Sequence, residues 1–74
     1  MNKIFFNKNS ISNFIVYSDS MYINLVGGEQ IHVLRSNNND FDKLVDKLKE
    51  MLRLYETDHH VAWFDYSTRK LIID

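Results

Sequence analysis

The chain has 74 residues, nine basic and ten acidic side chains, a formal net charge of -1, 45% hydrophobic residues, and neither cysteine nor proline. That length leaves room for one domain, that apolar fraction excludes a disordered chain, and the absence of cysteine excludes disulfides and thiolate metal sites. No stretch reaches the roughly 18 apolar residues that span a bilayer, and near-neutral charge is a poor base for nucleic-acid binding, where phosphate neutralisation supplies most of the affinity.

The first predicted element is a short strand over Lys3–Phe6. It is too brief an apolar run for a signal peptide, which also needs a small-residue cleavage site. The sequence therefore predicts a cytoplasmic protein kept at full length, and the lack of cysteine fits a reducing compartment. Three further strands follow over Asn13–Tyr17, Met21–Val26 and Gln30–Arg35, each rich in β-branched and aromatic residues. Ser18-Asp19-Ser20 and Gly27-Gly28-Glu29 separate them. A three-residue Gly27-Gly28-Glu29 loop would pair Leu25 with Ile31, Ile23 with Val33 and Asn24 with His32. It keeps apolar residues together, whereas a one-residue slip would reverse the faces. Met21, Ile23, Leu25, Ile31 and Val33 then face inward.

A helix is predicted from about Asp40 to Glu56. Phe41, Leu44, Val45, Leu48, Leu52 and Tyr55 recur at helical spacing and form one apolar stripe. Asn39 is the expected N-cap, Asp40 and Asp42 suit the positive end of the helix dipole, and Lys49 and Arg53 suit the other end. The charged far face reads as solvated surface. Strands over Val61–Tyr66 and Lys70–Ile73 close the chain as a hairpin around Ser67-Thr68, with Asp65 facing Lys70, Phe64 facing Leu71 and Ala62 facing Ile73. Phe64, Tyr66, Leu71 and Ile73 form its expected inner face. The fold class is α+β: an antiparallel sheet of about five strands on one helix, in the order β-β-β-β-α-β-β.

One helix covers one face of a sheet. If the two hairpins share a sheet, its other face carries Tyr22, Val26, Leu34, Val61, Trp63 and Ile72. That is too apolar for a face left in water, and such a patch usually marks a contact. Trp and Tyr are also enriched at binding hot spots. Its expected occupants are the chain's own N-terminal segment, through Ile4, Phe5, Phe6 and Ile11, a second copy, or another protein or small ligand. Tyr22, Leu34, Val61, Trp63 and Ile72 are the candidate partner-binding residues.

Residues that carry chemistry are few. Asp58, His59 and His60, with His32 elsewhere, are the one group with ligand chemistry, but adjacent histidines match no metal-site spacing. There is no G-x-S-x-G elbow and no phosphate-cradling loop, and Gly27-Gly28 joins two strands rather than opening a helix. No cofactor or metal is expected. Aromatic strand residues can stack single-stranded bases, and Arg35, Arg69 and Lys70 are the cations that would flank them. The strand, turn, strand, glycine turn, strand, helix order over residues 13–49 resembles the start of LytTR-type DNA-binding domains and of small bacterial flagellar accessory proteins. The C-terminal half lacks the basic segment of the former, and any hairpin followed by a helix shares the order, so no residue role carries over. The Asn, Ile and Lys bias is that of an AT-rich coding sequence, as in Gram-positive bacteria and their phages. The sequence thus predicts a non-enzymatic protein-interaction module that self-associates, an adaptor or an inhibitor of another protein. A small nucleic-acid-binding regulator is the alternative.

Overall fold

A computed structural model describes residues 2–53 and 61–74. The fold is α+β, and the described residues form six strands and one α-helix: β1 (Lys3–Phe6), β2 (Ile11–Val16), β3 (Ser20–Leu25), β4 (Gln30–Leu34), α1 (Phe41–Arg53), β5 (Ala62–Asp65) and β6 (Lys70–Ile73). The strands do not form one sheet. They form two antiparallel sheets of three, ordered β1-β5-β6 and β2-β3-β4. β1 leaves its sequence neighbours and joins the terminal hairpin. A 3-10 turn at Lys8–Ser10, capped by the Asn7 side chain on the Asn9 amide, turns the chain from one sheet into the other.

Both sheets face one core. Phe6, Ile11, Met21, Ile23, Leu25, Ile31, Val33, Ala62, Phe64, Leu71 and Ile73 are buried together with the helix residues Phe41, Leu44, Val45, Leu48 and Met51. Every strand and the helix contribute to this cluster, so the elements have no separate cores. In the last helical turn Met51, not Leu52, faces inward; Leu52 is 37% exposed. The reason is the position of β6: Lys47 donates to the Ile73 carbonyl, so that strand lies beside the Lys47–Met51 side of the helix. Tyr55 and residues 54–56 of the expected helix lie outside the described residues. The first helical bond runs from the Leu44 amide to the Asp40 carbonyl, which makes Asp40 the capping position and leaves Asn39 in the turn before it.

The central hairpin has the expected faces in a different register. Its pairs are Asn24–Gln30, Ile23–Ile31, Tyr22–His32 and Met21–Val33. The loop has three residues, but they are Val26-Gly27-Gly28, closed by Leu25 and Glu29. A slip of two residues preserves the inward and outward sets, so the apolar pattern could not distinguish the two registers. Gly27 and Gly28 both adopt positive φ, 106° and 98°, a region glycine enters freely. The terminal hairpin pairs as expected: Asp65–Lys70, Phe64–Leu71, Trp63–Ile72 and Ala62–Ile73. Tyr66 lies beyond the paired residues of β5, with its ring edge-on to the buried Phe64 ring, centroids 5.1 Å apart. The Asp65 carboxylate accepts the Ser67 and Thr68 amides and Arg69 takes a φ of 59°, so β5 and β6 stop pairing at Asp65–Lys70 and Tyr66 is left 41% exposed, its amide donating to the Asn2 carbonyl.

Asn38 is the main polar link between the sheets. It is 3% exposed. Its Nδ2 donates to the carbonyls of Leu34, at the end of β4, and Arg69, just before β6, at 2.9 and 3.1 Å. Its Oδ1 accepts the Leu71 amide at 2.9 Å. Tyr66 adds a second link by donating its hydroxyl to Glu29 at 3.0 Å. Burial first, and then the Glu29 carboxylate, raise the Tyr66 phenol above its ordinary pKa. Among the described residues no helix is long and apolar enough to cross a membrane.

Candidate interaction surface

Strand alternation sends Lys3, Phe5, Trp63, Asp65, Lys70 and Ile72 to the outside of the β1-β5-β6 sheet. Register orders them in two cross-strand rows: Lys3, Asp65 and Lys70 in one, Phe5, Trp63 and Ile72 in the next. The first row alternates charge and suits water. The second is apolar except for the indole N–H of Trp63, which is half-buried. Phe5 is 64% exposed, Ile72 is 41% exposed, and Val61 beyond Trp63 is 43% exposed. The Phe5 and Trp63 rings lie 5.8 Å apart at 36°.

The N-terminal segment was a candidate cover for Trp63, and of its apolar residues it brings Phe5 against that ring. Phe6 and Ile11 point into the core. Phe5 stands beside Trp63 in the same row and widens the apolar surface. Phe5 was legible only as cover, because nothing local in the sequence says that β1 pairs with β5.

The candidate residues Tyr22 and Leu34 belong to the other sheet, so the structure does not join them with Val61, Trp63 and Ile72 in one sheet face. Val26 lies in the glycine turn. The outside of β2-β3-β4 is built differently. Asn24 donates to Asn13 at 2.7 Å and Gln30 donates to Asn24 at 2.9 Å, an amide ladder across three strands. Tyr22 stacks on His32, its cross-strand neighbour in place of Asn24, with centroids 4.2 Å apart and planes 3° apart. Tyr17 meets Tyr22 edge-on at 6.1 Å.

The cations of the nucleic-acid alternative do not form one free patch. Arg35 makes a two-pronged ion pair with Asp42, donates to the Ser18 carbonyl, and lies 4.4 Å from the Phe41 ring centroid. The hydrogen bond to Asp42 is the main cause that raises the Arg35 pKa, and the same bond lowers that of Asp42. Lys70 faces Asp65 in the ladder, and Arg69 occupies the strained turn position. Asp58, His59 and His60 lie outside the described residues. Among the described residues no three His, Asp or Glu side chains converge as metal ligands, and every buried side-chain nitrogen and oxygen has a hydrogen-bond partner. No protein-family model, curated protein or solved structure matches this chain.

Proposed function

We propose that this protein is a non-enzymatic interaction module that receives another protein on the outer face of β1-β5-β6 and acts as its adaptor or inhibitor. The carrying observation is the Phe5–Trp63–Ile72 row, in which a half-buried Trp63 is flanked by exposed Phe5 and Ile72 on the side of the sheet away from the core. Covering a large apolar side chain is worth about 1.5–3 kcal/mol, and a central aromatic ringed by polar groups is the usual make-up of a hot spot. The Lys3–Asp65–Lys70 row supplies such a polar rim on one side. The partner this face suits offers apolar side chains at the centre and charges of both signs at the edge. The cysteine-free composition supports a cytoplasmic setting.

The test places a photo-crosslinking residue at Ile72 in cells of the native source. A discrete adduct should form, and Trp63→Ser should abolish it while circular dichroism stays unchanged. An adduct pattern indifferent to Trp63→Ser would overturn the reading.

A further inference from the structure

The four sheet edges are not treated alike. On β6 the Leu71 amide is taken by Asn38 and the Ile73 carbonyl by Lys47. On β4 the Leu34 carbonyl is taken by Asn38. β1 is short and carries Lys3. β2 has six residues, Ile-Ser-Asn-Phe-Ile-Val, with no charge. Natural proteins blunt edge strands with charge, proline or cover, because an open edge templates another strand. Beyond β3, no described residue pairs with the backbone of β2 between Phe14 and Val16.

Which backbone groups are open follows from the ladder. The Tyr17 amide donates to Ser20, so Tyr17 directs its backbone toward β3. By alternation Ile15 does the same, while Phe14 and Val16 direct N–H and C=O outward. Their side chains lie on the core side, opposite Ile23 and Met21. Met21 is fully buried, yet Val16 is 40% exposed. Val16 therefore stands as an exposed apolar rim beside the buried Met21, next to Phe14, which packs partly against the core.

We propose that β2 pairs antiparallel with β2 of a second copy about a two-fold axis at Ile15, joining two three-stranded sheets into one of six. An edge accepts only an extended strand, and this strand complements itself. In that register Phe14 faces Val16 of the other copy and Val16 faces its Phe14. Each is a hydrogen-bonded pair exchanging two bonds, four in all, and the apolar side chains extend both cores. The irregularity between Ile11 and Asn13 stays outside the paired segment. Lys8 precedes the strand and Asp19 follows it, so antiparallel pairing brings unlike ends together where parallel pairing would bring like ends together. The contact is isologous, as in most dimers, and it leaves both Trp63 faces free. It does not depend on the function proposed for them.

Ile15 would face its own symmetry mate in a non-hydrogen-bonded pair, with Cα atoms about 4.5 Å apart, within the roughly 4.4–6.8 Å range of disulfides. The chain has no cysteine, so Ile15→Cys introduces a single thiol. Under mild oxidation it should give a disulfide dimer roughly tenfold or more faster than Asp46→Cys, a control on the exposed helix face, given the high effective concentration of paired sites. Light scattering should show wild type and Trp63→Ser as dimers. Ile15→Lys, which sets like charges on the axis, should be a monomer with unchanged circular dichroism. Equal oxidation rates at positions 15 and 46 would overturn the proposal, as would wild type remaining monomeric at every concentration. A dimer split by Trp63→Ser but not by Ile15→Lys would place the self-contact on the other sheet.

Discussion

The two sheets bury their inner faces in one core but finish their outer faces in opposite ways. On β2-β3-β4 the outer side chains of the middle strand are engaged, with Asn13, Asn24 and Gln30 in an amide ladder and Tyr22 flat on His32, and the exposed apolar group is Ile15 on the edge strand. On β1-β5-β6 the charged row is complete in itself, while the Phe5–Trp63–Ile72 row is apolar but for the indole N–H, with Trp63 half-buried between exposed Phe5 and Ile72. A face whose groups pair internally has less to gain from a partner than one whose apolar area is uncovered. The contrast separates a finished surface from one suited to binding, although both are rich in aromatics.

Shared burial is the first term to break. Leu48 is fully buried in the cluster that joins both sheets. Leu48→Ala should cost about 2–5 kcal/mol and weaken both sheets in one cooperative transition. A thermal melt shifted by less than a few degrees would mean that the helix stripe does not hold the sheets together. Next comes the polar link. Asn38→Ala removes three hydrogen bonds, and each buried group left without a partner costs about 1–3 kcal/mol. Hydrogen exchange should show the Leu71 amide losing protection before the β2-β3 ladder does. Equal loss in both sheets would deny Asn38 a local bridging role.

The outer surfaces respond less. Asn24→Ala breaks the amide ladder on an exposed face and should cost about 0.5–1 kcal/mol in a denaturant melt. A larger loss would show that this face is part of the structural core. The smallest effect concerns Asp42. Its carboxyl is held below the ordinary value by the Arg35 hydrogen bond and then by its charge. A depressed folded-state pKa gives stability that is present above the unfolded value and lost as pH falls through the folded one. Asp42→Asn should therefore remove part of the acid limb of a pH–melting curve while changing little at neutral pH, since both partners are exposed. Curves for wild type and variant that run parallel into acid would contradict this.

Local pattern showed much of this architecture. Lys3–Phe6, Lys70–Ile73 and the register of the terminal hairpin could be read from alternation and from the Asp65–Lys70 match. The inward set of β3 and β4 could be read too, but not their register, because a two-residue slip changes no face. What the sequence did not show is non-local. The pairing of β1 with β5 joins residues some sixty positions apart, and no periodicity encodes it. That pairing splits the expected single sheet, separates Tyr22 from Trp63, and brings Phe5 to the candidate site. Asn38 was equally hidden, since one Asn in an Asn-rich turn gives no sign of which amide reaches the core.

The central claim is that the Trp63 row is working surface and not core. Thermal unfolding of Trp63→Ser beside Leu48→Ala, followed by circular dichroism, tests it most directly. Trp63→Ser should keep the wild-type spectrum and melt close to wild type, far above Leu48→Ala. A Trp63→Ser protein that unfolds as readily as Leu48→Ala would show that the row holds β1-β5-β6 together, and would contradict its assignment as a binding face.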